Sequence, residues 1–279
     1  MSVVIVVKVS EGLVLAADSA ATLSGRVLGP SGVLEEGILQ TFYNAKKLLQ
    51  IGSDLPIGVL TWGQAYIGQR TIESLVREWE YNSGWQSLEL FREKNTDETY
   101  SVEACAKGLL AHLSNAHQEE FKDMPEEGRP GLGIVVAGYS EQGFFPEIWR
   151  FVLPFDKDIT NQRPDINGKP DFGANWFGIT EPAVRLHFGR DDGVMQIISE
   201  KYDIPMEELH EALNPLQYQI PFPQMPLQDA IEYANYMINV VIGRFRFVIG
   251  PELCGGQIDI AAITQREFHW LSKKTWKLA

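Results

Sequence analysis

The sequence predicts an α+β protein in which antiparallel sheets are covered by helices on their outer faces. Short runs rich in valine and isoleucine occur near both ends and in the middle of the chain, and each is too short to be a helix. Longer segments with apolar residues at helical spacing separate these runs. Because strands and helices come in groups instead of alternating one by one, antiparallel layers are favoured over a parallel sheet.

The N-terminal part of the chain is predicted to be mainly strands. Residues 3–9 form a β-branched run, a Glu-Gly turn follows, and residues 13–18 complete a hairpin. Residues 23–41 contain five Gly or Pro residues and little periodicity, which predicts a loop. Two further short strands are expected at 46–51 and 56–61.

Two helices follow. Apolar residues at helical spacing predict the first over residues 64–81 and the second up to about residue 121. Thr96 or Asp97 is placed to cap the start of the second helix. The remaining elements are predicted in this order: strands at 132–139 and 144–153, a loop at 154–171, a strand at 172–180, helices at 182–201, 203–213 and 226–245, and a final hairpin at 257–264 and 268–273.

Composition and charge exclude several classes of protein. Asp and Glu outnumber Lys and Arg by 37 to 24, a net charge of −13, which disfavours nucleic acid and anionic membranes as partners. No apolar run approaches the length of a membrane-spanning helix. The two cysteines, Cys105 and Cys254, are too few for a disulfide scaffold and lack the spacing of zinc ligands. We therefore expect a cytoplasmic protein without a metal site.

The common catalytic motifs GxxxxGK[ST], HExxH and GxSxG are absent from the sequence. The start of the chain offers a different chemistry, because an initiator methionine before a small residue is commonly removed. Removal of Met1 leaves Ser2 with a hydroxyl and a free α-amine. That amine has a reference pKa of about 7.7–8.0, so it can act as the general base for its own hydroxyl. A nearby lysine would lower this pKa, and a carboxylate would hold the lysine in place.

Five segments resemble those of proteasome β-type subunits and follow the same order along the chain. They are residues 12–22 (the family's G-V-x-x-A-A-D-S-R-A-T run), 44–51 (its lysine strand), 61–63 (its A-G element opening the first helix), 138–143 (its G-Y-D-x-x-G hairpin) and 254–264 (its S-G-G-x-[IV]-D-V-A-V-I-T ending). Each match is weak alone. Together they span most of the chain and are specific at the level of the superfamily.

The resemblance implies the four-layer α-β-β-α sandwich of N-terminal-nucleophile hydrolases, in which two antiparallel sheets lie between two helix layers. It also implies one domain over residues 1–279. The length beyond the family's core is then placed in loop insertions near residues 23–43, 154–171 and 190–226.

The resemblance also implies an active site. Ser2 takes the position of the family's nucleophilic threonine, and Asp18 and Lys47 take those of its aspartate and lysine. In that arrangement Asp18 holds Lys47, and Lys47 lowers the pKa of the terminal amine. The backbone N–H of Gly63 takes the position of the donor that stabilises the oxyanion.

Four further positions bear on the resemblance to this family. Ala21 and Leu60 are expected to line the substrate pocket and to suit apolar side chains. The family's second aspartate and its neighbouring serine fall on Pro251 and Cys254, so the outer support of the site is altered. An inactive or repurposed member is therefore a second interpretation.

The function expected from this resemblance is a peptidase without a cofactor that acts on peptides or unfolded protein through an acyl-enzyme. Two alternatives remain: an amidohydrolase acting on a small amide, and a catalytically inactive ring or scaffold subunit. The resemblance also implies self-association into rings, whereas no residue indicates an ATPase partner.

Overall fold

The computed structural model describes residues 2–28, 34–95, 98–250 and 252–275, which form a mixed α/β fold. The strands are β1 (Val3–Val9), β2 (Gly12–Ala17), β3 (Ala21–Leu28), β4 (Leu34–Phe42), β5 (Leu48–Gln50), β6 (Ile57–Gly63), β7 (Tyr66–Ile67), β8 (Arg70–Thr71), β9 (Leu132–Gly138), β10 (Glu147–Leu153), β11 (Thr160–Asn161), β12 (Gly173–Gly178), β13 (Asp259–Ile263) and β14 (Phe268–Ser272). The helices are α1 (Ile72–Ser83), α2 (Leu88–Lys94), α3 (Val102–Glu120), α4 (Glu181–Phe188), α5 (Asp192–Tyr202), α6 (Met206–Leu213) and α7 (Leu227–Arg246).

Most strands belong to two five-stranded sheets. The first sheet has the order β12-β1-β2-β13-β14, and the second has the order β11-β10-β9-β6-β5. All neighbouring strands in both sheets are antiparallel. The predicted hairpins β1–β2, β9–β10 and β13–β14 are confirmed, as is the antiparallel α+β class.

The sequence of β1 explains its place inside the first sheet. Six of its seven residues are Val or Ile, and all seven are buried. Such a run fits a strand covered on both faces and paired on both edges, and β1 pairs with β12 and β2.

Three apolar clusters connect these elements. One combines side chains from both five-stranded sheets, including Val6 of β1 and Val135 of β9. A second joins the other face of the first sheet to α7, including Ile5 and Ile238. A third joins the second sheet to α1, α2 and α3, including Leu109. Because successive side chains of a strand point to opposite faces of its sheet, the strands of each five-stranded sheet contribute side chains to two clusters.

The predicted loop near residues 23–43 is wrong for most of its length, because β3 and β4 pair there as a two-stranded antiparallel ribbon. Residues 29–33 lie outside the described part of the chain. The register places Gly25 opposite Gly37, and a Cβ at Gly25 would come within 2.5 Å of the Leu39 side chain. Gly25, which indicates a loop in the sequence, instead leaves room for the Leu39 side chain within the ribbon.

The first predicted helix begins later than expected. Residues 66–71 form the small hairpin β7–β8, whose turn contains Gly68 with φ of +57°. Thr71 then caps α1, since its side chain accepts a hydrogen bond from the backbone N–H of Ser74 at 3.2 Å.

The second predicted helix is confirmed as α3, but its start differs. The side chain of Ser101 caps it by accepting a hydrogen bond from the N–H of Ala104 at 3.0 Å. Thr96 and Asp97, the predicted caps, lie outside the described residues. The sequence analysis did not predict the short α2.

The predicted helix over 182–201 is two helices. Gly189, with φ of +66°, ends α4 in the left-handed conformation. The carboxylate of Asp191 then caps α5 by accepting from the N–H of Val194 at 2.8 Å. The predicted insertion near 190–226 thus contains α5 and α6, whereas 154–171 holds only β11 and one isolated bridge. None of the helices in the described ranges is long and apolar enough to cross a bilayer.

Lys8 is an exception in the apolar strand β1. It is 1% exposed, its Nζ donates to the carbonyl of Arg163 at 3.3 Å, and the carboxylate of Asp165 is 3.8 Å away. Burial lowers the pKa of Lys8, which indicates that its charged form is disfavoured here.

We expect Lys8→Met to raise the free energy of unfolding at pH 7 by about 1–3 kcal/mol, because it removes a buried charge with poor compensation. Urea denaturation measures the change. A lysine whose pKa is lowered on folding makes stability rise with pH, so the gain should shrink as the pH approaches 10. Lys107→Met on the exposed face of α3 is the control. A loss of stability in Lys8→Met contradicts this expectation.

Candidate active site at the start of the chain

The carboxylate of Asp18 joins the start of the chain to the segments around it. Asp18 is fully buried just after β2. Its Oδ1 accepts hydrogen bonds from the backbone N–H of Val3 at 3.0 Å and from Nζ of Lys47 at 2.6 Å. Its Oδ2 accepts from the N–H of Ala20 at 3.2 Å and of Gly255 at 3.0 Å. Four donors thus surround a side chain that supplies only acceptors when ionised.

Lys47 lies directly before β5 and is also buried, with 4% of its surface exposed. Its carbonyl accepts a hydrogen bond from the N–H of Thr61 at 2.9 Å, which fixes the lysine beside β6. Burial lowers the pKa of Lys47, and the negative charge of Asp18 opposes that shift. Lys47 and Asp18 therefore form a buried ion pair beside the start of the chain.

The backbone of Ser2 is held by the end of β12. Its carbonyl accepts a hydrogen bond from the N–H of Ile179 at 2.7 Å. Gly178 has φ of +82°, and a Cβ there would come within 2.0 Å of the Ser2 carbonyl oxygen, so only glycine fits. The neighbouring rings of Trp62 and Phe177 stack at 4.8 Å. These contacts give the serine a defined position.

Ser2 borders a pocket of about 560 Å³. Lys47 and Gly63 line it together with Ser2. Apolar side chains make up much of the remaining wall, and these are Ala21, Leu23, Phe42, Trp62, Ala65, Tyr66 and Ile72. The pocket therefore combines a serine, a buried lysine and an apolar surface on which a ligand side chain can pack.

Gly63 ends β6 instead of opening a helix. Its φ is +84°, and a Cβ would come within 2.4 Å of the carbonyl oxygen of Gly131. The same carbonyl accepts a hydrogen bond from the N–H of Gln64 at 2.9 Å. This position requires glycine for both its conformation and its space.

The structure brings together most of the residues singled out from the sequence. Ser2, Lys47, Gly63 and Ala21 border one pocket, and Asp18 lies bonded behind Lys47. The assignment of Leu60 to the pocket wall is wrong, because its side chain is fully buried in the cluster between the two sheets. Trp62, two residues further on β6, borders the pocket instead.

Cys254 stands where the family that the sequence resembles has a serine, and it is buried. Burial raises the pKa of its thiol to about 12, and the negative charge of Asp18 adds to the shift. The thiol therefore stays protonated at neutral pH and is a poor nucleophile. Pro251, at the family's second aspartate, lies outside the described residues.

Sequence reasoning missed a second buried ion pair behind the site. Nζ of Lys274 lies 2.5 Å from Oδ2 of Asp259. It also donates to Oγ of Ser19 at 2.7 Å and to the carbonyl of Ala45 at 2.9 Å. No local signal identifies Lys274, because it follows the last strand and stands beside another lysine.

Comparisons with known proteins do not assign this arrangement to a family. No protein-family model matches the chain, and a search of curated proteins finds no match. The function is therefore argued from the residues of the site.

Proposed function

We propose that this protein is an N-terminal-nucleophile hydrolase that cleaves peptide amides, with Ser2 as the nucleophile after removal of Met1. One observation carries the proposal: the buried pair Lys47–Asp18, joined at 2.6 Å, lies behind a pocket that Ser2 itself borders. Buried lysines are rare, and one with a lowered pKa next to a cleft is typical of a functional site.

In the proposed reaction the free α-amine of Ser2 takes the proton from the hydroxyl of the same residue. The hydroxyl oxygen attacks the substrate carbonyl, and the N–H of Gly63 donates to the oxyanion that develops. The amine then gives its proton to the leaving nitrogen, which leaves an ester on Ser2. Water attacks that ester, with the amine again as base, and releases the acid.

The pair behind the nucleophile has an electrostatic role in this reaction. The positive charge of Lys47 lowers the pKa of the Ser2 amine, so more of the amine is neutral and able to accept a proton. Asp18 holds Lys47 by the same oxygen that accepts from the N–H of Val3. The residue after the nucleophile and the lysine therefore share one anchor.

The fold supports the same proposal. The three apolar clusters fit an order of helices, second sheet, first sheet and α7, which corresponds to the four-layer α-β-β-α sandwich of such hydrolases. The apolar wall of the pocket favours substrates with an apolar side chain next to the bond that is cleaved.

Mass spectrometry of the purified chain tests this function. We expect the intact mass to lack one methionine, and a serine-reactive β-lactone probe to add to Ser2. Ser2→Thr should still react, and Ser2→Ala should not, although alanine is small enough for Met1 to be removed.

Ser10→Ala is the matched control, since Ser10 is an exposed serine in the β1–β2 turn, and it should react like the unaltered chain. Retention of Met1, or a probe adduct that persists in Ser2→Ala, contradicts the proposed function.

A further inference from the structure

We propose that Lys274 is a positioning residue of this site, which holds the Asp18–Lys47 pair beside Ser2 through Ser19. The proposal rests on the proposed function and adds to it a residue from the far end of the chain.

The ammonium group of Lys274 has a partner for each of its three protons. Nζ donates to Oγ of Ser19 at 2.7 Å and to the carbonyl of Ala45 at 2.9 Å, and it pairs with Asp259 at 2.5 Å. The backbone N–H of Lys274 also donates to Oδ1 of Asp259, at 2.9 Å. The side chain is 9% exposed, so these contacts are formed largely out of water.

These partners belong to the two segments that carry the buried pair. Ser19 directly follows Asp18, and Ala45 is two residues before Lys47. The N–H of Ala45 donates to the carbonyl of Ser19 at 3.0 Å, which ties the two segments together. Lys274 therefore bonds to both segments at the point where they meet.

A second path reaches Asp18 through the Gly-Gly turn. The N–H of Ser19 donates to the carbonyl of Gly255 at 2.9 Å, and the N–H of Gly255 donates to Oδ2 of Asp18 at 3.0 Å. Oγ of Ser19 donates to the carbonyl of Gln257. With its hydroxyl oriented by Lys274, Ser19 fixes the turn that supplies one of the four donors to Asp18.

The charge of Lys274 also acts on the buried pair Asp18–Lys47. The positive charge of Lys274 contributes to the lowered pKa of Lys47, although burial is the larger cause. Among the described residues, the other titratable groups around Lys47 and the pocket are Asp18, Cys254, Lys46, Glu73 and Tyr66. Lys46 and Glu73 pair with each other at 2.8 Å, and Cys254 stays protonated. Removing the charge of Lys274 should therefore raise the pKa of Lys47 and of the Ser2 amine.

The test compares Lys274→Met, Lys274→Arg and the control Lys273→Met, whose lysine is exposed and lies over the ring of Trp270. For Lys274→Met we expect kcat to fall about tenfold with KM nearly unchanged, because the substrate pocket stays intact. The acid limb of kcat/KM should move to higher pH by about one unit, a direction that loss of folded protein alone does not produce. Lys274→Arg should restore the limb, and Lys273→Met should match the unaltered chain.

The double variant Lys274→Met/Asp259→Asn removes both charges and covers the case in which the single variant does not fold. It should show the same kcat loss, because the contacts to Ser19 and Ala45 are lost in both variants, but a smaller shift of the acid limb, because the lost negative charge of Asp259 offsets part of the lost positive charge. NMR titration of the Lys47 side chain, assigned with Lys47→Arg, reads the Lys274 effect without catalysis. If the Lys274→Met enzyme is active and neither its pH profile nor its Lys47 titration differs from that of the unaltered chain, this inference is wrong, whereas the proposed function stands. If the unaltered chain does not react with the β-lactone probe but Lys274→Met still shifts the Lys47 titration, only the proposed function is wrong.

Discussion

An Asp18→Asn variant is expected to lose about 3–5 kcal/mol of unfolding free energy at pH 7, measured by urea denaturation. The carboxylate accepts from four donors, three of them backbone N–H groups. An asparagine amide replaces one accepting oxygen by an NH₂ group, which leaves two of these donors without an acceptor. It also removes the counter-charge of the buried Lys47.

Asp54→Asn is the control for this loss, because Asp54 is an exposed aspartate that accepts one backbone hydrogen bond, from the N–H of Leu88 at 2.9 Å. It should cost less than about 1 kcal/mol. The double variant Asp18→Asn/Lys47→Met should recover part of the loss, since it removes the unpaired charge as well. A loss below about 1 kcal/mol in Asp18→Asn contradicts the role given to Asp18.

A Lys47→Met variant is expected to lower kcat/KM for peptide substrates by about 10²–10⁴-fold. Without the lysine charge the pKa of the Ser2 amine rises, so less of the amine is neutral at pH 7. Raising the pH should therefore restore part of the rate in the variant, and the acid limb of its profile should lie at higher pH. Steady-state assays from pH 5 to 10 with a peptide amide measure both effects.

The fold should survive Lys47→Met, because Asp18 keeps its three backbone donors, and circular dichroism checks this. Lys107→Met, on the exposed face of α3, should leave the profile unchanged. Unchanged activity in Lys47→Met would show that the buried pair serves stability rather than hydrolysis.

Much of the fold could be predicted from the sequence because burial leaves a regular pattern there. The valine and isoleucine run of β1 and the apolar stripe of α3 each carry their own periodicity. The ribbon β3–β4 does not, because its strands are stabilised mainly by each other and contain glycines. The break between α4 and α5 could have been predicted from Gly189 and Asp191, because glycine commonly ends a helix and aspartate commonly caps the start of one.

The residues of the candidate site also differ in how far the sequence could predict them. Asp18 and Lys47 stand in short local motifs, and the structure joins them at 2.6 Å. Lys274 and Gly178 stand in no motif, because their contacts with Ser19 and Ser2 connect residues far apart in the sequence. Such residues acquire these contacts only when segments that are distant in the sequence come together in the fold.

The pairing of β1 with β12 has a consequence for biosynthesis. Val3 lies opposite Gly178, so one edge of β1 has no partner until most of the chain has been translated. At about 5–20 residues per second this interval lasts roughly 10–30 s. During it Ser2 has not yet formed its bond to the N–H of Ile179, and the start of the nascent chain is accessible to an aminopeptidase. Under the proposed function, ribosome speed and enzyme supply in that interval would set how much of the protein carries a free serine.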